Sequence, residues 1–228
     1  MQMQRILLVL LLTSITLCLN AQLNVKVAYQ LAYTNASENN SILSSFNELK
    51  AAELNAGLSK EFSPLRLMNG IVLGLRHRIS DAHSIELGYE HSSSSKEAVG
   101  ENMNGSLFQQ SLFYSSSQYY LDYQTHISRF GFGLGIGRSR FKIKDEIGNS
   151  DVKKELVNEN QWVARTNLSF FFSGAKNLSF CLQPFLNLSL DDVPISALSD
   201  ELGTNHDTSV KDNFTQFGIR FVFYNGAQ

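Results

Sequence analysis

The chain has 228 residues, a formal net charge of −2, a pI near 6.2 and only 18% charged residues. That balance gives no electrostatic footprint for nucleic acid. Beyond the N-terminus no apolar run reaches the roughly eighteen residues a membrane-spanning helix needs, which excludes helical spans and leaves one domain, at most two.

Residues 1–22 read MQMQRILLVLLLTSITLCLNAQ. Arg5 makes a positive start, residues 6–12 are all Leu, Ile or Val, and small Ala21 precedes Gln22. This is the layout of a signal peptide over residues 1–21, with export of residues 22–228 as a single domain. An N-terminal anchor would want a longer apolar run, and a lipoprotein on Cys18 a smaller residue than Leu17. Export leaves Cys181 alone, without an internal disulfide.

From there the chain alternates with a period of two, the signature of strands with two unlike faces. Residues 23–33 set Val25, Val27, Tyr29, Leu31 and Tyr33 against Lys26, Ala28, Gln30 and Ala32. Residues 45–57, SFNELKAAELNAG, place Phe46, Leu49 and Ala52/Glu53 at helical spacing, with Gly57 as a stop. They predict a short helix over a barrel mouth or on the outer leaflet, against a plain packed loop. Residues 67–79 set Leu67, Ile71, Leu73, Leu75 and Ile79 against Gly70, Gly74, Arg76 and Arg78. Residues 83–91, 118–126, 128–137, 161–172, 178–190 and 213–224 behave alike. The connections alternate between long and short, which characterises membrane β-barrels, and an even strand count puts both ends on the short-turn side.

The tripeptide Asn-Leu-Ser occurs at Asn167, Asn177 and Asn187. Asn167 and Asn187 fall inside strands, whereas glycan acceptors belong on loops. The repeat is confined to this hairpin, so a solenoid is excluded. Folding the hairpin about Ala175 sets Phe172 against Leu178, Phe170 against Phe180 and Leu168 against Leu182, with every apolar side chain on one face.

Three features turn that apolar face towards lipid. The opposite face is largely Gly, Ala, Ser and Asn, including the row Gly131, Gly133, Gly135 and Gly137; eight strands leave an interior just wide enough for side chains. Tyr123, Phe130, Phe170, Phe172, Phe180, Phe221 and Phe223 lie towards the short turns, and Tyr33, Tyr89, Tyr119 and Trp162 towards the long loops, as two interfacial girdles. The interior charges find partners: Arg76 stands opposite Glu86, and Asp122 is diagonal to Arg129. Phe171 and Phe185 read as interior fillers. Pro184 removes a ladder bond without any sign of a bulge. Arg138, Arg140 and Lys142 lie past Ile136 on the outer face, either touching lipopolysaccharide phosphates or simply solvated.

In the last strand Gln216, Gly218, Phe221 and Phe223 resemble the terminal-strand signal read by the outer-membrane barrel-assembly machinery. The tail Tyr224–Gln228 departs from the pattern, which often stops at the aromatic. With the signal peptide and eight alternating strands, the exported chain resembles small outer-membrane β-barrels of the OmpX/OmpA or PorT-like type. The resemblance implies insertion in a bacterial outer membrane, with its lipids and lipopolysaccharide as surroundings.

The chemistry is sparse. His77, His83, His91, His126 and His206 lack ligand spacing, so no metal or cofactor is expected. The glycine row has no following helix or Lys and is a strand face rather than a phosphate loop. His91-Ser92-Ser93 resembles the His-x-Ser core of lipid A deacylases, which are themselves eight-stranded barrels, but no carboxylate is placed beside it and the serine run reads as a loop. The acidic segment Asp191 to Asp212 lacks the spacing of a calcium loop. The expectation is an all-β, eight-stranded antiparallel transmembrane up-and-down β-barrel without catalysis, acting structurally or at the surface through long loops. The alternatives are a lipid A-modifying enzyme, a narrow passage for small molecules and a soluble ligand-binding barrel.

Overall fold

The structure is a computed structural model that describes residues 23–148, 152–172, 178–204 and 209–225. The signal peptide expected over residues 1–21, the 173–177 turn and His206 lie outside the described residues. The elements in chain order are β1 (Leu23–Thr34), α1 (Ser37–Glu53), β2 (Leu58–Lys60), β3 (Leu67–Arg78), β4 (His83–Glu101), β5 (Leu107–Ile127), β6 (Phe130–Ile147), β7 (Lys154–Phe172), β8 (Leu178–Ser189), β9 (Val193–Pro194), α2 (Ser196–Leu202), β10 (Lys211–Asp212) and β11 (Gln216–Asn225).

Among the described residues the eight long strands pair in the ring β1-β3-β4-β5-β6-β7-β8-β11, and β11 returns to β1. Every pairing is antiparallel, between consecutive long strands except where β11 closes on β1, so this is an up-and-down barrel that leaves no open edge in its lower half. The short strand β2 adds to the upper part of β4.

The faces are those the alternation requires. In β1 every odd residue from Leu23 to Tyr33 is exposed and every even one is buried. Leu168 is 48% and Phe132 45% exposed, whereas Asn167 is 3% exposed. An unbroken band of bare Leu, Ile, Val and Phe around the barrel would be insoluble in water and fits acyl chains. From Leu23 to Tyr33 the strand rises roughly 33 Å, or about 25 Å along the axis at a tilt near 40°, which is the height of a lipid-facing belt. Side-by-side aromatics edge it. Tyr33–Phe217 (4.8 Å between ring centroids) and Tyr89–Tyr119 (5.1 Å) lie at the long-loop rim. Phe130–Phe170 (5.6 Å), Phe172–Phe180 (5.5 Å) and Phe180–Phe223 (5.3 Å) lie at the short-turn rim. The fold is therefore a transmembrane β-barrel.

Strands β4 to β7 run far past that belt, and there the amphipathic pattern reverses. Along β6, inward Gly131 to Gly137 give way to inward Phe141 and Ile143, both 0% exposed. Outward Phe132, Leu134 and Ile136 give way to Arg138, Arg140, Lys142 and Lys144. Water replaces lipid outside, so charge moves outward and grease moves in. This overturns the reading of the serine run as a loop: Ser92–Ser95 are part of β4. The wall folds around α1 and α2, whose Ile42, Leu43, Phe46, Leu198 and Leu202 share one core with Ala98, Leu112, Phe141, Ile143 and Val157.

Two further expectations are corrected. The β7–β8 register is Phe172↔Phe180, Phe170↔Leu182 and Thr166↔Leu186, two residues from the predicted one. A shift of two leaves every side chain on its own face, so parity cannot detect it. The helix begins at Ser37 rather than near residue 45 and buries Ile42, Leu43 and Phe46, leaving Leu49 41% exposed. Pro184 sits in an unbroken β8, with the register the same on both sides of it.

Candidate functional site

Two regions carry polar chemistry: the barrel interior and the cap above it. In the interior, Glu86 is 0% exposed and collects four donors. Lys26 Nζ donates at 2.6 Å, Tyr120 Oη at 2.8 Å, Tyr224 Oη at 2.9 Å and Gln124 Nε2 at 3.4 Å. Glu90 lies across the lumen from its partners. It accepts from Arg220 Nη2 (2.8 Å), Arg165 Nη1 (3.1 Å), Gln30 Nε2 (3.1 Å) and Asn187 Nδ2 (3.1 Å). Asp122 accepts from Arg165 Nε at 3.0 Å and from Asn167 Nδ2 at 3.4 Å. The guanidinium of Arg165 stacks 3.9 Å over the Tyr120 ring and that of Arg220 3.8 Å over Phe185. Asn167 and Asn187, two of the three repeated asparagines, are thus members of this network.

The glycines make the room. A Cβ at Gly135 would lie 2.0 Å from Asp122 Oδ1, and one at Gly88 would lie 2.4 Å from the Tyr120 hydroxyl. The result is a lumen closed by paired charges and rings, a plug in which each of the three buried carboxylates, Glu86, Glu90 and Asp122, is met by more than one donor.

Arg76 stands opposite Glu86 in the β3–β4 ladder. Yet the ion partner of Glu86 is Lys26, and Arg76 turns towards the short-turn mouth and lies 3.8 Å over the Tyr224 ring. The partner of Asp122 is Arg165, not Arg129, which sits exposed in the turn before β6. The predicted partners came from neighbouring strands. Side chains instead reach past the adjacent strand, as β1 Lys26 does over β3 to β4 Glu86 and β7 Arg165 does over Gly135 of β6 to β5 Asp122. The inward parity of Lys26, Glu90, Arg165 and Arg220 was the available signal. Gln216 and Gly218 face inward or sideways in β11, and Phe221 and Phe223 face the lipid belt at 37% and 46% exposure.

His91 faces outward at the upper rim, and its Nδ1 lies 2.9 Å from Ser117 Oγ rather than beside Ser92 or Ser93. Tyr89 Oη also reaches Ser117, at 3.3 Å. Ser92 is buried with an unbonded hydroxyl. The His91-Ser92-Ser93 tripeptide therefore does not assemble a nucleophile with its base.

In the cap, Asp212 of β10 closes the first turn of α1 by accepting from the Asn39 backbone amide at 2.7 Å. This supplies from a distant segment the cap that Ala36 lacks. Tyr114 Oη donates to Asn39 Oδ1 at 3.2 Å. Burial raises the Asp212 carboxyl above its ordinary 3.8, against hydrogen bonds from Asn39 and Asn213. Burial likewise raises Asp145, which accepts from Gln110 Nε2 at 3.0 Å. Outside the wall, Arg138 lies 5.3 Å over the Trp162 ring, Arg140 Nε donates to Asn158 at 2.6 Å and Lys142 is 3.7 Å from Glu155. Together with Lys144 these form a column of cations just above the belt.

No protein-family model and no curated protein matches the chain. Among solved structures it is similar to the crystal structure of Neisserial surface protein A, with a TM-score of 0.43 and 11% identity over 91% of this chain and 99% of that one. It is also similar to the crystal structure of Ail, the attachment invasion locus protein of Yersinia pestis, in complex with the heparin analogue sucrose octasulfate. There the TM-score is 0.39 and the identity 12%, over 89% of this chain and 98% of that one.

Proposed function

We propose that the protein is a bacterial outer-membrane barrel that acts at the cell surface without catalysis, through a rigid extramembrane cap. The observation that carries this reading is the pairing of a plugged lumen with a packed cap. Lys26, Glu86, Glu90, Asp122, Arg165 and Arg220 fill the barrel with paired charge, leaving little room for transport. The β4–β7 wall and the two helices then bury a core of their own above the belt, a structure that anchorage alone does not need. The terminal strand with Gln216, Gly218, Phe221 and Phe223 supports recognition by the barrel-assembly machinery. The column Arg138, Arg140, Lys142 and Lys144 suits phosphate groups of lipopolysaccharide, since guanidinium pairs with phosphate through two parallel hydrogen bonds.

The test is fractionation with heat-modifiable gel mobility, followed by current recording in planar bilayers. Outer-membrane recovery, a faster unheated band and no steady channels are expected. Recovery without detergent would refute the membrane assignment, and steady conductance would favour a passage.

A further inference from the structure

Among the described residues the barrel interior carries one more positive charge than negative. Among the described residues Lys26, Arg76, Arg165 and Arg220 are buried there, against Glu86, Glu90 and Asp122. Lys26, Arg165 and Arg220 each hold a carboxylate. Arg76 holds none, and its Nε makes no hydrogen bond although the residue is 1% exposed. Its Nη2 reaches only the side-chain carbonyl of Asn24, at 3.0 Å in the amide orientation that satisfies both. Its remaining support is the face of Tyr224 and, at 5.5 Å, the ring of Phe171. A guanidinium does not shed its proton, so this charge cannot be neutralised from within.

Arg76 lines a cavity of about 290 Å³ that opens at the short-turn mouth, shared with Arg78, Asp81, His126 and Ser128. Arg78 is bonded to Asp81 at 3.3 Å, and the Asp81 carboxylate is fully solvent-exposed. His126 Nε2 is engaged by Ser84 Oγ at 2.8 Å. The cavity therefore offers one buried, under-bonded guanidinium, that of Arg76, with the Arg78 guanidinium and the exposed Asp81 carboxylate together at its rim.

We propose that this mouth cavity binds a phosphate-class oxyanion, which gives Arg76 the counter-charge that it lacks among the described residues. A tetrahedral oxyanion presents several acceptors at once and pairs with guanidinium more strongly than a neutral group does. The same chemistry is carried by free inorganic phosphate and by the headgroup of a phospholipid in the leaflet around the short turns.

The test uses the protein folded in neutral-detergent micelles, in a phosphate-free buffer of fixed ionic strength. Inorganic phosphate is titrated by calorimetry while the arginine Nε–H resonances are followed by ¹⁵N NMR, with Arg76→Lys assigning the Arg76 signal. Saturable movement of that signal with phosphate, and none with chloride, is expected. Arg78→Gln weakens binding about tenfold, the loss of one charge-assisted hydrogen bond, whereas Asp81→Asn tightens it. These opposite signs distinguish a site from a general loss of structure, and calorimetry on the two rim variants decides the matter even if Arg76→Lys does not fold. Nanodiscs of phosphatidylglycerol compared with phosphatidylcholine-free neutral glycolipid separate the sources. Movement with the phospholipid alone assigns the headgroup, and movement with free phosphate assigns the small anion. An Arg76 signal unmoved in both settings, with no heat of phosphate binding, overturns the proposal.

Discussion

Arg165 offers the sharpest test of a plugged lumen. It is 3% exposed and bridges two carboxylates, Asp122 at 3.0 Å and Glu90 at 3.1 Å. Arg165→Met keeps most of the volume and removes both charge-assisted hydrogen bonds. Glu90 retains Arg220, but Asp122 is left with only the 3.4 Å bond from Asn167. Stranding a buried ion in this way costs about 3–5 kcal/mol. Adding Asp122→Asn removes the stranded charge, so the double variant recovers about 2 kcal/mol or more of the loss, as expected for directly coupled neighbours. The assay is equilibrium unfolding in phospholipid vesicles by urea, followed by unheated gel mobility and by the fluorescence of Trp162, the single tryptophan. If Arg165→Met costs under about 1 kcal/mol, and Asp122→Asn recovers nothing, the charges are solvated. The lumen would then hold water and the plug would be refuted.

Other predictions follow from the belt and the cap. Leu134, 54% exposed on β6 midway between Phe130 and Arg138, faces the middle of the belt. Leu134→Arg should cost about 2–4 kcal/mol in the same vesicle assay, and a neutral effect would contradict the outward orientation. Phe46 is 1% exposed and packs 5.1 Å from the Phe62 ring. Phe46→Ala should cost the cap about 3–5 kcal/mol, seen as faster protease cutting in α1 with the heat-modifiable band intact. If the band is lost with it, cap and barrel unfold as one unit. Asp212 has its carboxyl raised in the folded state, so the folded protein binds the extra proton. Its contribution is fully present below the unfolded value near 3.8 and is lost as pH rises through the raised folded value. Thermal unfolding should therefore favour wild type over Asp212→Asn increasingly as pH falls through that window; a difference flat with pH would show that the carboxyl is not shifted.

Alternation of polar and apolar residues decided most of this protein from sequence. It located eight strands and set Leu168 and Phe132 outside with Asn167 and Gly133 inside, because a two-residue period can satisfy a barrel in lipid only one way. It could not set the β7–β8 register, since a slip of two preserves every face. It also stopped four strands at the belt's edge. Apolar outward positions mark a strand only where lipid surrounds it, and above the membrane Arg140 and Lys142 occupy them while Phe141 and Ile143 turn in. Who pairs with whom in the lumen was decided by tertiary structure alone. Lys26 takes Glu86 and Arg165 takes Asp122 from the next strand but one, reaching past β3 and past Gly135 of β6, while Arg165 and Arg220 take Glu90 from three strands away, a distance that only closure of the ring brings within side-chain reach. The same closure leaves Arg76 at the mouth without an acid to hold among the described residues.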